Sequence, residues 1–408
     1  MTKKTVAILA TLDTKGAEAE FLRQQIEALG GAALLIDIGV LGVPAASAGI
    51  ARDEVARAGG KDLGVLQKSP TREAAQPIMV AGASALLKAR VDAGAVHAVL
   101  GLGGLQGTAA CAEVMRSLPY GVPKVLLSTV ASGNTAAYVD IKDITMMFSV
   151  GDILGLNEFT RKILANAAGA AWGMAQVATT MQARKRSKPL VGMTNLGVLT
   201  EGAMHALKRF AGKGYEVIVF HAVGSGGRAM EQMMKEGIIG AVFDYAMGEI
   251  SDELFDGLRA ANQERLTVAG KLGLPQVLCP GGTEHLGILV APNVVPPRWA
   301  DHKYVFHSPV VLAPRLDAEE FTRVAKEIGK RLQHTKGRAV MMLPTDGTSR
   351  YGKPDGALRD VAGDKVFFAA LKASLPAAIE VVEFPTHAED PVFVDEAVDR
   401  LIEMIEAK

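Results

Sequence analysis

His221 closes the apolar run Val217–Phe220 and opens the loop HAVGSGGRAME. His285 follows Glu284 in CPGGTEH, and His387 stands in FPTHAED. Each lies where an apolar run, read as a strand, gives way to glycine, proline or an acid. Imidazole exchanges a proton near neutral pH, so His221, Glu284, His285 and His387 are the candidate proton-transfer groups, with Glu249 as a further candidate to join them. Asp346, Ser349 and Asp390 follow the last strands as further cleft candidates. Cys279 would be a nucleophile only beside a base; a buried free thiol is the better reading. His302 and His307 with Asp301 match no standard ligand spacing, so no metal site is assigned.

A second set of residues is suited to anions. Gly224-Ser-Gly226-Gly227-Arg228-Ala229 fits G-x-G-x-x-[GA], with Asp244 20 positions after Gly224. Such a loop aims backbone N–H groups at a phosphate in front of a helix N-terminus, and Arg228 adds a fork-shaped donor. It falls on the second strand–helix turn of its half, whereas the dinucleotide fingerprint sits on the first. An anion is therefore expected here, NAD is disfavoured, and tight packing is the alternative. Gly103, Gly104, Gly107 and Thr108, in GLGGLQGT, follow another apolar run and form a second candidate anion nest. Asp13 and Lys15 offer a carboxylate and an ammonium for a polar substrate or a metal-linked phosphate, with a helix cap by Asp13 as the alternative. Ser128, Ser132 and Asn134, with Thr129, suit a ribose, phosphate or carboxylate, or an ordinary turn. Asp140 and Asp143 are either magnesium ligands or solvated turn residues. GTSRYGK (347–353) matches GxxxxGK but runs into Pro354, so it reads as a turn.

The elements that must position these residues repeat. Thr5–Asp37 and Pro189–His221 each read as strand, Thr/Gly turn, amphipathic helix, glycine stop and second strand. Residues 93–104 parallel 236–249, and 121–134 parallel 273–285. Alternating strands and helices imply parallel sheets, so the expected fold is α/β: two Rossmann-like domains related by internal duplication, 1–182 and 189–408. A linker is expected at 183–188, and a last helix at 392–407 could pack on either half. With 49% apolar residues both cores are affordable in size, and zero formal net charge argues against nucleic acid or membrane partners. Two cysteines without CxxC spacing exclude a disulfide framework. The N-terminus reads as a first strand, not a signal peptide, and a cytoplasmic location is expected.

TLDTKG (11–16), PKVLLSTVASGNTAAYVDIKDITMMFSVGDILGLNEFTRKILANAAGA (123–170) and VFHAVGSGGRAME (219–231) resemble a known family. It comprises the bacterial relatives of the N-terminal ATP-binding domain of the tomato mosaic virus resistance protein. The resemblance spans almost the whole chain and implies two Rossmann-like domains, a homodimer and nucleotide binding, with ATP and Mg²⁺ as candidate cofactors. By position, the family's glycine-rich loop falls on Gly103, Gly104, Gly107 and Thr108, where GGLQGT stands for the usual GGSGGT. Departures also occur at DYAMGE (244–249), Pro280–His285 and His387–Asp390.

These readings converge on a phosphate- or carboxylate-bearing small molecule bound in a cleft between the halves. The first expectation is a metabolic enzyme, a lyase or hydrolase on a small, oxygen-rich oxo- or sugar acid. The alternatives are an ATP-binding regulatory module and an NAD-dependent dehydrogenase.

Overall fold

The computed structural model describes residues 3–68, 71–178 and 187–407. The chain divides into two compact units, 1–184 and 185–408; of the expected linker, residues 183–186 lie outside the described residues. In the N-terminal unit the strands are β1 (Thr5–Ala10), β2 (Ala32–Asp37), β3 (Ala98–Gly103), β4 (Lys124–Ser128) and β5 (Thr145–Phe148). They form a parallel sheet ordered β2-β1-β3-β4-β5. The C-terminal unit contains β6 (Val191–Asn195), β7 (Val217–His221), β8 (Ala241–Ala246), β9 (Gln276–Gly281), β10 (Ile288–Leu289), β11 (Tyr304–Ser308), β12 (Val311–Pro314), β13 (Ala339–Pro344) and β14 (Glu380–Phe384). Its main sheet is also parallel, ordered β7-β6-β8-β9-β13-β14. Both sheets therefore begin with the same 2-1-3-4 arrangement of a doubly wound α/β fold, and the echo in the sequence is an echo in topology.

Burial follows position in the sheet. All six residues of β3, β8, β9 and β13 are buried, whereas the edge strands β5, β7 and β14 are not. A strand covered on both faces must be apolar along its length, which is why the central strands read as unbroken apolar runs. The helices that follow β1 and β6, Leu12–Ala28 and Thr200–Gly212, end before Gly30 and Gly214. Those glycines take φ of 91° and 76°, the left-handed conformation that ends a helix at little cost.

Strands β10, β12 and β11 form a separate antiparallel sheet that the parallel-sheet expectation did not include. Its strands are short and separated by Pro292, Pro296 and Pro297, so no alternation is long enough to read. The last helix, Pro391–Glu406, starts with proline at its first position and an Asp390 cap on the Val392 N–H. It packs on helix Thr200–Gly212 and on β8 and β9, within the C-terminal unit. Among the described residues, no helix is long and apolar enough to cross a membrane.

Candidate functional site

In the N-terminal unit, the carboxyl ends of β1 and β3 lie side by side, and the loops leaving them enclose a cavity of about 610 Å³. Asp13, Lys15, Gly103, Gly104 and Gly107 all line it, joined by Thr11, Thr14 and Gln106. In doubly wound sheets this switch point, where neighbouring strands send their chains to opposite sides, is where ligands bind. Gly103 ends β3 and Gly104 is the N-cap of helix Leu105–Arg116. A Cβ on Gly103 would lie 2.6 Å from the Gly107 backbone, so glycine lets the strand end meet the helix's first turn. At Gly107 a Cβ would meet nothing closer than the Leu102 carbonyl at 3.5 Å, which is ordinary contact. Leu105 and Gln106 are helical, so the two residues that replace the family's hydroxyl and glycine still present first-turn N–H groups.

Asp13 is not the helix cap; Thr11 holds that position, and Asp13 sits in the first turn. Its Oδ1 is buried without a hydrogen-bond partner. Lys15 donates to the Ile153 carbonyl. Asp37, at the end of β2, accepts from the N–H groups of Leu12 (3.1 Å) and Gly39 (2.9 Å). Burial pushes its pKa up, and those two N–H groups offset part of the rise. Thr108 and Ser128 require a correction: they are buried, and their hydroxyls bond each other at 2.7 Å, with Thr108 also donating to the Gly103 carbonyl. They tie β4 to the helix instead of facing the cavity. Ser132 is exposed, and Asn134 accepts from the Ala136 N–H; neither lines the cavity. Asp143 accepts from buried Lys124 at 2.8 Å and from the Gly121 N–H at 2.9 Å, a structural role.

The second glycine loop also approaches an anion, but the anion is the protein's own. The N–H groups of Gly224 and Gly227 both donate to Glu249 Oε1, at 2.6 and 3.2 Å. Glu249 Oε2 accepts from Arg265 Nε at 2.6 Å, and Arg265 Nη2 reaches Asp244 Oδ1 at 2.6 Å. Asp244 also accepts from Thr194 at 2.8 Å. Asp244, Glu249 and Arg265 are buried, so Asp244 is engaged where a dinucleotide enzyme would need it for a ribose. The expectation that Gly224, Gly226 and Gly227 cradle a ligand phosphate is corrected accordingly. A Cβ on Gly226 would lie 1.9 Å from the His221 carbonyl oxygen. Arg228 is half-buried in the first turn of helix Ser225–Lys235.

His221 and His285, from the ends of β7 and β9, line one cavity of about 380 Å³ in the C-terminal unit. Arg259, His307 and Tyr351 join them, among aliphatic walls. His285 is buried; its Nδ1 lies 3.3 Å from Glu284 Oε1 without hydrogen-bond geometry, and its Nε2 lies 3.4 Å from Arg259 Nη1. Arg259 is fixed by a two-pronged contact with buried Asp252 (2.7 and 2.9 Å). Glu284 lies behind the cavity and accepts from the hydroxyls of Thr348 (2.6 Å) and Ser349. Burial would raise its pKa, but His285 and those hydroxyls bring it down to about 2. Glu284 is thus an ionised support for His285 and not a proton donor. His387 does not line this cavity, although the sequence grouped it with the other two histidines. The GTSRYGK stretch is a run of turns, its Thr348 and Ser349 serving Glu284.

The histidines weighed for metal separate. His302 Nε2 lies 3.1 Å from Glu320 and His307 Nδ1 lies 3.0 Å from Tyr351 Oη. Asp317 and Glu320 form the capping box of helix Ala318–Arg331. Cys279 is buried, and burial pushes its thiol pKa up, away from reactivity.

The domain models of the uncharacterised protein family UPF0261 match this chain along its length. The N-terminal domain matches residues 4–180 and the C-terminal domain residues 188–405. The chain belongs to the UPF0261 family. A UPF0261 protein of Clostridium tetani is 36% identical over 404 residues, 99% of each chain. One from Rhizobium meliloti is 34% identical, covering 97% of this chain and 98% of that one. The tomato (Solanum lycopersicum) ToMV resistance protein Tm-1(GCR237) is 31% identical over 313 residues, 75% of this chain and 41% of the tomato protein. The resemblance read from the three motifs is therefore real kinship.

Several site residues of this UPF0261 chain were not legible beforehand. Thr11 and Thr14 stand in the same TLDTKG motif as Asp13, a signal that was available. Arg259, Arg265 and Tyr351 sit in turns with no periodicity, and only the fold carries them to their partners.

Proposed function

We propose that the N-terminal unit binds a phosphate-bearing small molecule, with a nucleoside phosphate as the first ligand to test. The observation that carries this is the assembly of Asp13, Lys15, Gly103, Gly104 and Gly107 around one switch-point cavity. A twelve-residue helix begins there, and the positive end of its dipole together with Lys15 favours an anion. The buried, unpartnered oxygen of Asp13 suits a sugar hydroxyl or a magnesium ion carried with the phosphates. The ligand site is thus read within one unit, not in a cleft between the halves. Thermal denaturation with ATP, ATP plus magnesium, and inorganic phosphate tests it. A ligand at 100 times its Kd adds about 2.7 kcal/mol, a visible rise in Tm. No rise with any of the three, or an undiminished rise in Lys15→Ala, defeats the proposal.

We propose with it the homodimer that the sequence resemblance led us to expect. Phe148, at the end of edge strand β5, and Val150, Leu154 and Phe159, which follow it in the chain, are exposed apolar residues that a second copy would cover. A monomer by light scattering would overturn this.

A second reading is an enzyme that moves a proton on a small acid, favoured by His221 and His285 lining one cavity with ionised Glu284 behind His285. It predicts uptake of solvent deuterium beside the carbonyl of a 2-oxo acid, followed by NMR. Exchange unchanged in His221→Asn, an exposed position, would remove His221 from the reaction.

A further inference from the structure

The cavity that holds His221 and His285 has a composition that selects its ligand. Its walls are Leu196, Val198, Val223, Leu258, Leu286 and Val311, and among the described residues no acidic side chain lines it. Its polar groups are the histidines, Arg259 and Tyr351. The rings of His285 and Tyr351 meet edge to face at 5.4 Å, and Tyr351 Oη contacts His307 Nδ1 at 3.0 Å. Arg259 is held by Asp252 and by the His285 carbonyl, to which Nη2 donates at 2.7 Å. Its Nη1 has only a long 3.4 Å contact with His285 Nε2, which leaves donor capacity for an incoming oxygen.

We infer that this cavity takes a small carboxylic acid with an apolar body, branched or aromatic, its carboxylate directed to Arg259 and His285. The inference rests on the second reading for what the site does, but not for what it holds. Asp252 and Glu284 stand behind Arg259 and His285 and balance their charge, so the preference for a carboxylate rests on Arg259 Nη1, whose charge-assisted hydrogen bond favours an anionic oxygen over a neutral one. Aliphatic walls reward an apolar body and leave the hydroxyls of a sugar acid without partners, which is costly on burial. This replaces the oxygen-rich acid expected from the sequence with an oxygen-poor one.

The test is calorimetric titration of the full chain with 4-methyl-2-oxopentanoate, gluconate and the neutral 4-methyl-2-oxopentanamide. The apolar acid is expected to bind at least about tenfold tighter than either comparator. Leu258 is half-exposed on the wall, so Leu258→Asp should fold and weaken that binding about tenfold, while Leu258→Met should keep it. Gluconate binding as tightly overturns the apolar body, and the amide binding as tightly overturns the anionic head. Absence of binding, or indifference to Leu258→Asp in a folded variant, overturns the site. Deuterium exchange is read separately: binding without exchange ends the proton-transfer reading and leaves the ligand class standing.

Discussion

After β3, Gly103 and Gly104 turn the chain into a helix whose first-turn N–H groups border a cavity. After β7, Gly224 and Gly227 turn the chain towards a helix, and their N–H groups meet Glu249. The second loop is the better match to a phosphate-binding pattern, yet its anion is internal. What differs is the next element along. Helix Gly248–Leu254 brings Glu249 under the second loop, and Arg265 secures it from the other side. No carboxylate is hydrogen-bonded in that way to the first loop among the described contacts; the nearby Asp13 has an oxygen without a partner. A glycine pattern therefore reports close approach, and the neighbouring elements determine what is approached.

The largest expected effect tests the internal side of this contrast. Arg265→Ala would leave Asp244 and Glu249 buried without their cation, and should cost about 3–5 kcal/mol in denaturant unfolding. A loss below about 1 kcal/mol would mean that the loop's anion is not held as described. Next come paired glycine substitutions. Gly226→Ala places a methyl against the His221 backbone and should cost about 2–3 kcal/mol. Gly107→Ala has room and should change stability by less than about 0.5 kcal/mol, while weakening any phosphate ligand of the first loop. Equal losses at the two positions would erase the distinction between the loops.

A smaller effect sharpens it through pH. Glu231 caps the N–H groups of Leu266 and Val268 beside Arg265. Burial, with Asp244 adding to it and Arg265 opposing, raises its pKa from 4.5 to about 7. A raised acid pKa means that the folded state holds the proton more tightly than the unfolded chain. Its contribution therefore declines as pH rises from about 4.5 to about 7 and is flat above that. Glu231→Gln should flatten this part of the stability profile. Glu284 has the opposite sign: its depressed pKa gives stability present above about 4.5 and lost as pH falls towards about 2, absent in Glu284→Gln. Profiles that coincide with the unmodified protein would show that neither carboxylate titrates as its surroundings imply.

Much of the fold was legible. Unbroken apolar runs marked the central strands, 3.6-residue spacing marked the helices, and two copies of one pattern marked two parallel sheets. These are local signals, because a strand covered on both faces or a helix with one buried stripe must carry its environment in its own residues. The first cavity was legible in part, because ligands of such sheets collect at strand carboxyl ends and Asp13 and Gly103 both stand at one. The short antiparallel sheet left too few residues per strand to show a period.

The sequence by itself determined which residues could face an anion or carry a proton, and at which ends of which strands they would stand. It did not determine which of them a neighbouring element would claim. Only the tertiary structure decided that Glu249 and Arg265 occupy the second glycine loop, that Thr108 and Ser128 bond each other, and that Glu284 supports His285 while His387 stands apart. The reason is physical: a buried donor or acceptor must be paired, and its partner is chosen by proximity in the folded chain, where residues such as Glu284 and Ser349, 65 positions apart, come into hydrogen-bond contact.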